Sequence, residues 1–165
     1  MGKICDRQKI GKICAGLRGE GKRIVFTNGC FDLLHAGHVH YLNRAKKLGD
    51  VLIIGLNSDR SVSGLKPGRP INTEKNRAAV LSGLAAVDYI VIFDEKTPYS
   101  LIRVVKPDLL VKGGDWKKED IVGSDIAKET LSLPYIKGLS TTRIIQKILK
   151  SAPAKNSSRP RVKQR

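Results

Sequence analysis

Long apolar runs are missing from this chain. The most apolar stretch is Val51–Leu56, far short of the roughly 20 residues a membrane-spanning helix needs. The N-terminus, Met1-Gly2-Lys3-Ile4-Cys5-Asp6-Arg7, has no apolar signal core, so a cytoplasmic protein is expected. Cysteine is scarce: Cys5, Cys14 and Cys30 make an odd number without paired spacing, which excludes a disulfide framework and a Cys-x-x-Cys zinc site. Aromatic residues are only 5%, too few for the stacking platforms of a single-strand nucleic-acid binder. Acids are outnumbered: 15 Asp and Glu stand against 31 Lys and Arg, a net charge of +16.

That charge is unevenly spread. Residues 1–23 carry +5, residues 151–165 carry +5, and the whole centre carries +6. A mildly basic centre suits a polyphosphate anion. The basic ends motivate a rival reading, a non-enzymatic nucleic-acid binder, although such tails are usually just solvated.

With 165 residues the chain suits one domain. Ile4, Ile10, Ile13, Cys14 and Leu17 predict an amphipathic helix over 3–18, ended by Gly19-Glu20-Gly21. Buried strands are expected at Arg23–Thr27, Val51–Leu56, Asp88–Phe93, Leu109–Val111 and Leu131–Ile136. Helices are expected from near Gly37 to Gly49, over Thr73–Leu84 and Pro98–Val105, and over Thr141–Lys150 with Ser140 as cap. This alternation predicts an α/β fold, a doubly wound, Rossmann-like parallel sheet of about five strands with helices on both faces. Residues 1–22 read as an N-terminal helix and turn, 23–150 as the catalytic domain, and 151–165 as a disordered basic tail. The stretch Gly16–Arg23 nearly matches a phosphate-binding loop, but it precedes a strand and has Arg23 where Ser or Thr should be.

All three histidines, His35, His38 and His40, fall within six residues, at the mouth of the first strand–loop–helix unit. Two imidazoles on either side of Gly37, beside a helix N-terminus, can face one phosphate, and Gly29 and Gly37 allow close backbone approach. His40 falls inside the helix and reads as peripheral. Ser140, Thr141, Thr142 and Arg143 open the last helix and form a second phosphate cradle. Lys46 and Lys112 are candidates to hold phosphate, or are solvated surface charges. A mobile lid is expected where Gly55–Lys66 runs into Pro67–Pro70.

The His-x-Gly-His element after a first strand, with Ser-Thr-Thr opening a late helix, resembles the cytidylyltransferase-like superfamily of nucleotidyltransferases. An ordered set of segments narrows the likeness: Phe26–Asp32, Gly55–Asp59, Gly68–Asn72, Arg77–Leu81, Val111–Asp115 and Gly138–Thr142. Together they resemble the heptose 1-phosphate adenylyltransferases. The segment Ser124–Leu133 looks shorter than is usual there.

The resemblance implies transfer of AMP from ATP to D-glycero-β-D-manno-heptose 1-phosphate, giving ADP-heptose and pyrophosphate, with Mg2+ accompanying ATP. It also implies a homo-oligomer, expected as a dimer, and a sugar kinase acting upstream as a separate protein, since no kinase half is present. Thr27, Asn28, Phe31 and Gly37 would line the nucleotide site, Gly113, Gly114 and Asp115 the base and ribose, and Asn57 and Asp59 the substrate. In this reading His35 and His38 act on the α-phosphate, Arg143 on the departing pyrophosphate, and Lys46 on the incoming sugar phosphate. Similar folds also act with CTP on small phosphates, or with ATP on flavin mononucleotide.

Overall fold

The computed structural model describes residues 1–136 and 138–151. The elements in chain order are β1 (Lys3–Ile4), α1 (Arg7–Gly19), β2 (Ile24–Gly29), α2 (Ala36–Lys46), β3 (Val51–Asn57), α3 (Asp59–Leu65), α4 (Glu74–Ser82), β4 (Tyr89–Phe93), α5 (Tyr99–Val105), β5 (Leu109–Gly113), a 3-10 turn (Lys118–Asp120), β6 (Glu129–Leu133) and α6 (Thr141–Ser151). All strand pairs are parallel, in the order β1-β4-β3-β2-β5-β6. The fold is therefore the expected Rossmann-like sheet, with one strand more than anticipated.

The two faces bury separate cores. On one face Leu42 and Ala45 of α2 and Ala78 and Leu81 of α4 pack on Val25, Leu52, Ile54 and Val111. On the other, Ile10 and Cys14 of α1 and Leu101, Ile102 and Val105 of α5 pack on Phe26, Ile53, Val91 and Leu110. Strands buried on both faces lack apolar–polar alternation, which is why β3 reads as one continuous apolar run.

Helix starts follow their caps. Asp6 accepts from Lys9 N at 2.7 Å, Ser58 from Ser61 N at 3.1 Å, Thr73 from Asn76 N at 3.4 Å and Ser140 from Arg143 N at 3.2 Å, each satisfying an amide that the helix leaves open. At α2 the N-cap is His35, which makes no side-chain capping bond.

Several boundaries differ from expectation. Lys3–Ile4 is an edge strand against Tyr89–Ile90, so residues 1–22 contribute β1 to the sheet and α1 to the core on one of its faces. Helix α1 accordingly begins at Arg7, behind its Asp6 cap. Strand β6 starts two residues early, at Glu129. Part of the expected lid is helix α3. The disordered tail is expected over 151–165, but Ser151 ends helix α6, and 152–165 lie outside the described residues.

From β2 the chain steps outward through β3 to β4, then returns to place β5 on the other side of β2. The switch point is thus the crevice between the C-terminal ends of β2 and β5, where sheets of this kind bind ligands.

Candidate active site

Strand alternation sorts the residues at the switch point. Thr27 is fully buried on the α2 face, where its hydroxyl and the Tyr41 hydroxyl are 2.7 Å apart and Tyr41 donates on to the Val111 carbonyl at 3.2 Å. Thr27 therefore ties β2, α2 and β5 together beneath the site. Asn28 and Lys112 project to the other face, where Lys112 Nζ donates to Asn28 Oδ1 at 3.1 Å.

After β2 the chain turns through Phe31, which takes the left-handed conformation, φ 43°. Its ring is buried below the histidines, with its centroid 5.5 Å from that of His38. Phe31 supports His38 from beneath, where a nucleotide contact had been expected. The His35 and His38 rings stack with centroids 3.9 Å apart and planes 29° apart. Neither Nδ1 has a hydrogen-bond partner among the described residues, and both are buried.

Burial lowers the His35 pKa. The His38 pKa is pushed down to about 4, first by burial and then by the charges of His35 and Lys66. Both imidazoles are neutral at pH 7 and each carries one N–H. His40, in contrast, is exposed on α2.

The start of α6 reaches this pair. Thr141 Oγ1 donates to the Leu33 carbonyl at 3.0 Å, and a Cβ placed on Gly37 would lie 3.3 Å from Leu139 Cβ. Ser140 Oγ is occupied by the Arg143 amide, Arg143 Nη1 reaches the Gly138 carbonyl at 3.5 Å, and Thr142 is exposed. The N-termini of α2 and α6 therefore open on one mouth, as the sequence led us to expect. One of the three hydroxyls, that of Thr141, serves to dock the helix.

A polar network braces the loop that carries the histidines. Asp32 accepts from Arg69 Nη1 at 2.6 Å and from the Ile71 and Asn72 amides at 2.8 and 2.9 Å. Burial alone would raise its pKa, but these amides and the Arg69 cation hold the carboxyl below its ordinary value. The Pro67–Pro70 turn is thereby fastened over the site's edge.

The Arg77 side chain is fully buried and donates to the Asn72 carbonyl at 3.0 Å, the Cys30 carbonyl at 2.6 Å and Asp59 Oδ1 at 2.8 Å. Asn57, expected as a substrate contact, is 4% exposed and donates to Ser61 Oγ at 2.9 Å. In this arrangement Asn57 and Asp59 hold α3 and α4 against the loop.

At the β5 end, Gly114 has φ +108°, and a Cβ on Gly113 or Gly114 would lie 2.9 or 2.8 Å from the Tyr135 ring. Trp116 Nε1 donates to the Gly113 carbonyl at 3.0 Å. Tyr135 and Trp116 are both exposed, as is Asp115, so two exposed rings cover the Gly113–Gly114 backbone. That pairing suits a nucleobase.

Lys46 is the clear misplacement. Its Nζ pairs with Asp88 Oδ2 at 2.6 Å and with the Asp50 carbonyl, two groups that precede β4 and β3. It lies at the opposite end of the sheet and is withdrawn from the site. Arg69, Arg77, Lys66, Trp116 and Tyr135 were not singled out as site residues. Arg69 and Arg77 were visible only inside the segments Gly68–Asn72 and Arg77–Leu81 that carry the resemblance, and Lys66 only as the basic end of the expected lid.

A doubly wound sheet with paired imidazoles and two helix N-termini at its switch point defines a nucleotide-phosphate-handling protein. The chain belongs to the cytidylyltransferase-like family, whose model matches residues 26–147. It is a nucleotidyltransferase.

Among curated proteins, the bifunctional protein HldE of Wolinella succinogenes is 56% identical over 147 residues, 88% of this chain and 31% of its own length. That of Campylobacter concisus is 61% identical over 128 residues, 77% of this chain and 27% of its own. The chain thus spans about a third of the length of the curated relatives it matches. A crystal structure of the lipopolysaccharide core biosynthesis protein from Thermoplasma volcanium is 31% identical with TM-score 0.60, covering 71% of this chain and 100% of that one. Pantoate–β-alanine ligase from Francisella tularensis, 18% identical with TM-score 0.58 over 91% of this chain and 78% of its own, shares the fold.

Proposed function

We propose that this protein transfers AMP from ATP to D-glycero-β-D-manno-heptose 1-phosphate, releasing pyrophosphate and ADP-heptose. The observation that carries the reading is the stacked His35–His38 pair at the mouth shared with the α6 start. The ordered segments of the resemblance, together with the HldE and lipopolysaccharide-core relatives, favour a sugar phosphate as acceptor and ATP as donor.

A sugar phosphate is already an anion at neutral pH, so the chain needs no protein nucleophile. The barrier lies in bringing two polyanions together in line, and positioning and charge stabilisation lower it. Neutral His35 and His38 donate to the oxygens of the α-phosphate. Thr142, Arg143 and the α6 amides hold the β- and γ-phosphates as they depart. Trp116 and Tyr135 flank the base over Gly113 and Gly114, with Asp115 near the ribose.

Magnesium would arrive with the triphosphate and screen its charge, since no group of three His, Cys, Asp or Glu gathers among the described residues to hold it. No described helix is long and apolar enough to cross a membrane. ATP as the donor would favour the cytoplasm as the place of the reaction. The acceptor would come from a kinase that phosphorylates the sugar's anomeric hydroxyl.

Pyrophosphate release measured across the four NTPs and a panel of phosphorylated acceptors tests the reading. It predicts ATP with the heptose 1-phosphate as the best pair, and a kcat loss of about 10²–10³ in His38→Ala. Preference for CTP with glycerol phosphate would overturn the substrate assignment. Wild-type turnover in His38→Ala would overturn the role of the histidines.

A further inference from the structure

With Lys46 paired at the far end of the sheet, the incoming phosphate needs another cation, and the crevice contains one. Along β2, Val25 and Thr27 face α2 while Phe26 faces α1 and α5; along β5, Leu109 and Val111 face α2 while Leu110 faces α1 and α5. The next residues, Asn28 and Lys112, therefore project together on the α1/α5 side of the switch point. Lys112 is largely withdrawn from solvent. Its hydrogen-bond partner among the described residues is the neutral Asn28 carboxamide, and it forms no ion pair among them. Burial accordingly lowers its pKa. An ammonium held this way is uncompensated, and an anion in the crevice would complete it.

The side of the crevice identifies which anion. In the reaction proposed above, the α6 start, docked on the loop that leads into His35, holds the pyrophosphate end of the nucleotide on the histidine side of the crevice. In-line displacement brings the nucleophile in opposite the leaving group, hence from the side where Asn28 and Lys112 stand.

We propose that Lys112 Nζ, steadied by Asn28, binds the phosphate of the acceptor and aims it at the α-phosphorus. This rests on the nucleotidyltransferase reading above. An acceptor phosphate oxygen forms the new bond to the α-phosphorus, the bond from the α-phosphorus to the α–β bridging oxygen breaks, and that electron pair leaves with pyrophosphate. The lysine stays protonated throughout.

The test uses the full chain with Lys112→Met, Lys112→Gln and Lys112→Arg. Orthophosphate is titrated calorimetrically into protein loaded with α,β-methylene-ATP, and pyrophosphate release is followed with ATP and heptose 1-phosphate. We expect both neutral variants to lose about 10- to 100-fold in orthophosphate affinity and in acceptor kcat/KM. Affinity for the ATP analogue should stay within about twofold, melting should be no lower than in the wild type, and Lys112→Arg should recover most of the loss.

Unchanged orthophosphate affinity in the neutral variants, or an equal loss of affinity for the ATP analogue, overturns the assignment. A wild type that binds no orthophosphate overturns it as well. A wild type that binds orthophosphate but turns over no acceptor overturns the reaction assignment instead, while the titration still decides the role of Lys112.

Discussion

The Thr141 hydroxyl donates to the Leu33 carbonyl at 3.0 Å, across 108 positions of sequence. This bond lands the start of the last helix on the loop that leads into His35. It joins the N-terminal histidine loop to the C-terminal helix start, so both open on the same mouth.

Gly37 sits where these two features meet. A Cβ there would lie 2.9 Å from His35 Nδ1 and 3.3 Å from Leu139 Cβ, so a methyl group must displace the imidazole or the α6 start. Gly37→Ala should lower kcat/KM by about 10²-fold through misplacement, at a stability cost of only about 1 kcal/mol. Parallel turnover and thermal melts check this. Normal turnover would show that the mouth is wider than these contacts imply.

Arg77 is the structural keystone of the loop. Its buried fork reaches Cys30, Asn72 and Asp59 together. Replacing it with Met leaves two carbonyls and a carboxylate without their donor. We expect Arg77→Met to lose about 3 kcal/mol in urea unfolding, and Arg77→Lys to lose most of that, because one ammonium cannot span all three acceptors. A loss below about 0.5 kcal/mol in the Met variant would contradict the role.

Lys46 makes the opposite case. Paired with Asp88 away from the crevice, it should be dispensable for chemistry. Lys46→Met should retain kcat and both KM values within about twofold and lose at most about 1 kcal/mol of stability, as partly exposed ion pairs do. A selective rise in acceptor KM would return Lys46 to the site.

The reason Lys46 misled shows what the sequence could disclose. Helix α2 was legible from its apolar period, but a helix advances about 1.5 Å per residue. The eleven positions from His35 to Lys46 therefore carry the lysine to the bottom of the sheet. The strands were legible because β-branched runs such as Val51–Leu56 suit a parallel sheet buried on both faces.

β1 was not legible, because Lys3–Ile4 is a strand only by pairing with Tyr89–Ile90. Nor was α3, where only Ser61 and Val62 are buried and no apolar period forms. The histidine segment stood out because all three histidines of the chain fall within six residues. Trp116 and Tyr135 did not, because only the fold brings those rings to one glycine pair.

His38 makes a pH prediction. Its pKa in the folded apo protein is pushed down to about 4 by burial and by neighbouring His35 and Lys66. The unfolded chain therefore takes up this proton at higher pH than the folded chain. The contribution of His38 to stability is fully present above about pH 6.5 and declines as pH falls toward 4. A bound triphosphate favours the imidazolium and raises the pKa. ATP binding near pH 5.5 should thus take up protons, and calorimetry in two buffers of different ionisation enthalpy measures this. His38→Gln should abolish most of the uptake, and identical heats in both buffers for the wild type would contradict the expected coupling.

The convergence of the two phosphate sites is tested most directly by one ATP titration of the apo protein, followed by NMR on the His38 imidazole nitrogens and the Thr142 backbone amide. The account predicts that both signals move together and fit a single dissociation constant. Movement of only one, or two distinct constants, would contradict a shared triphosphate site.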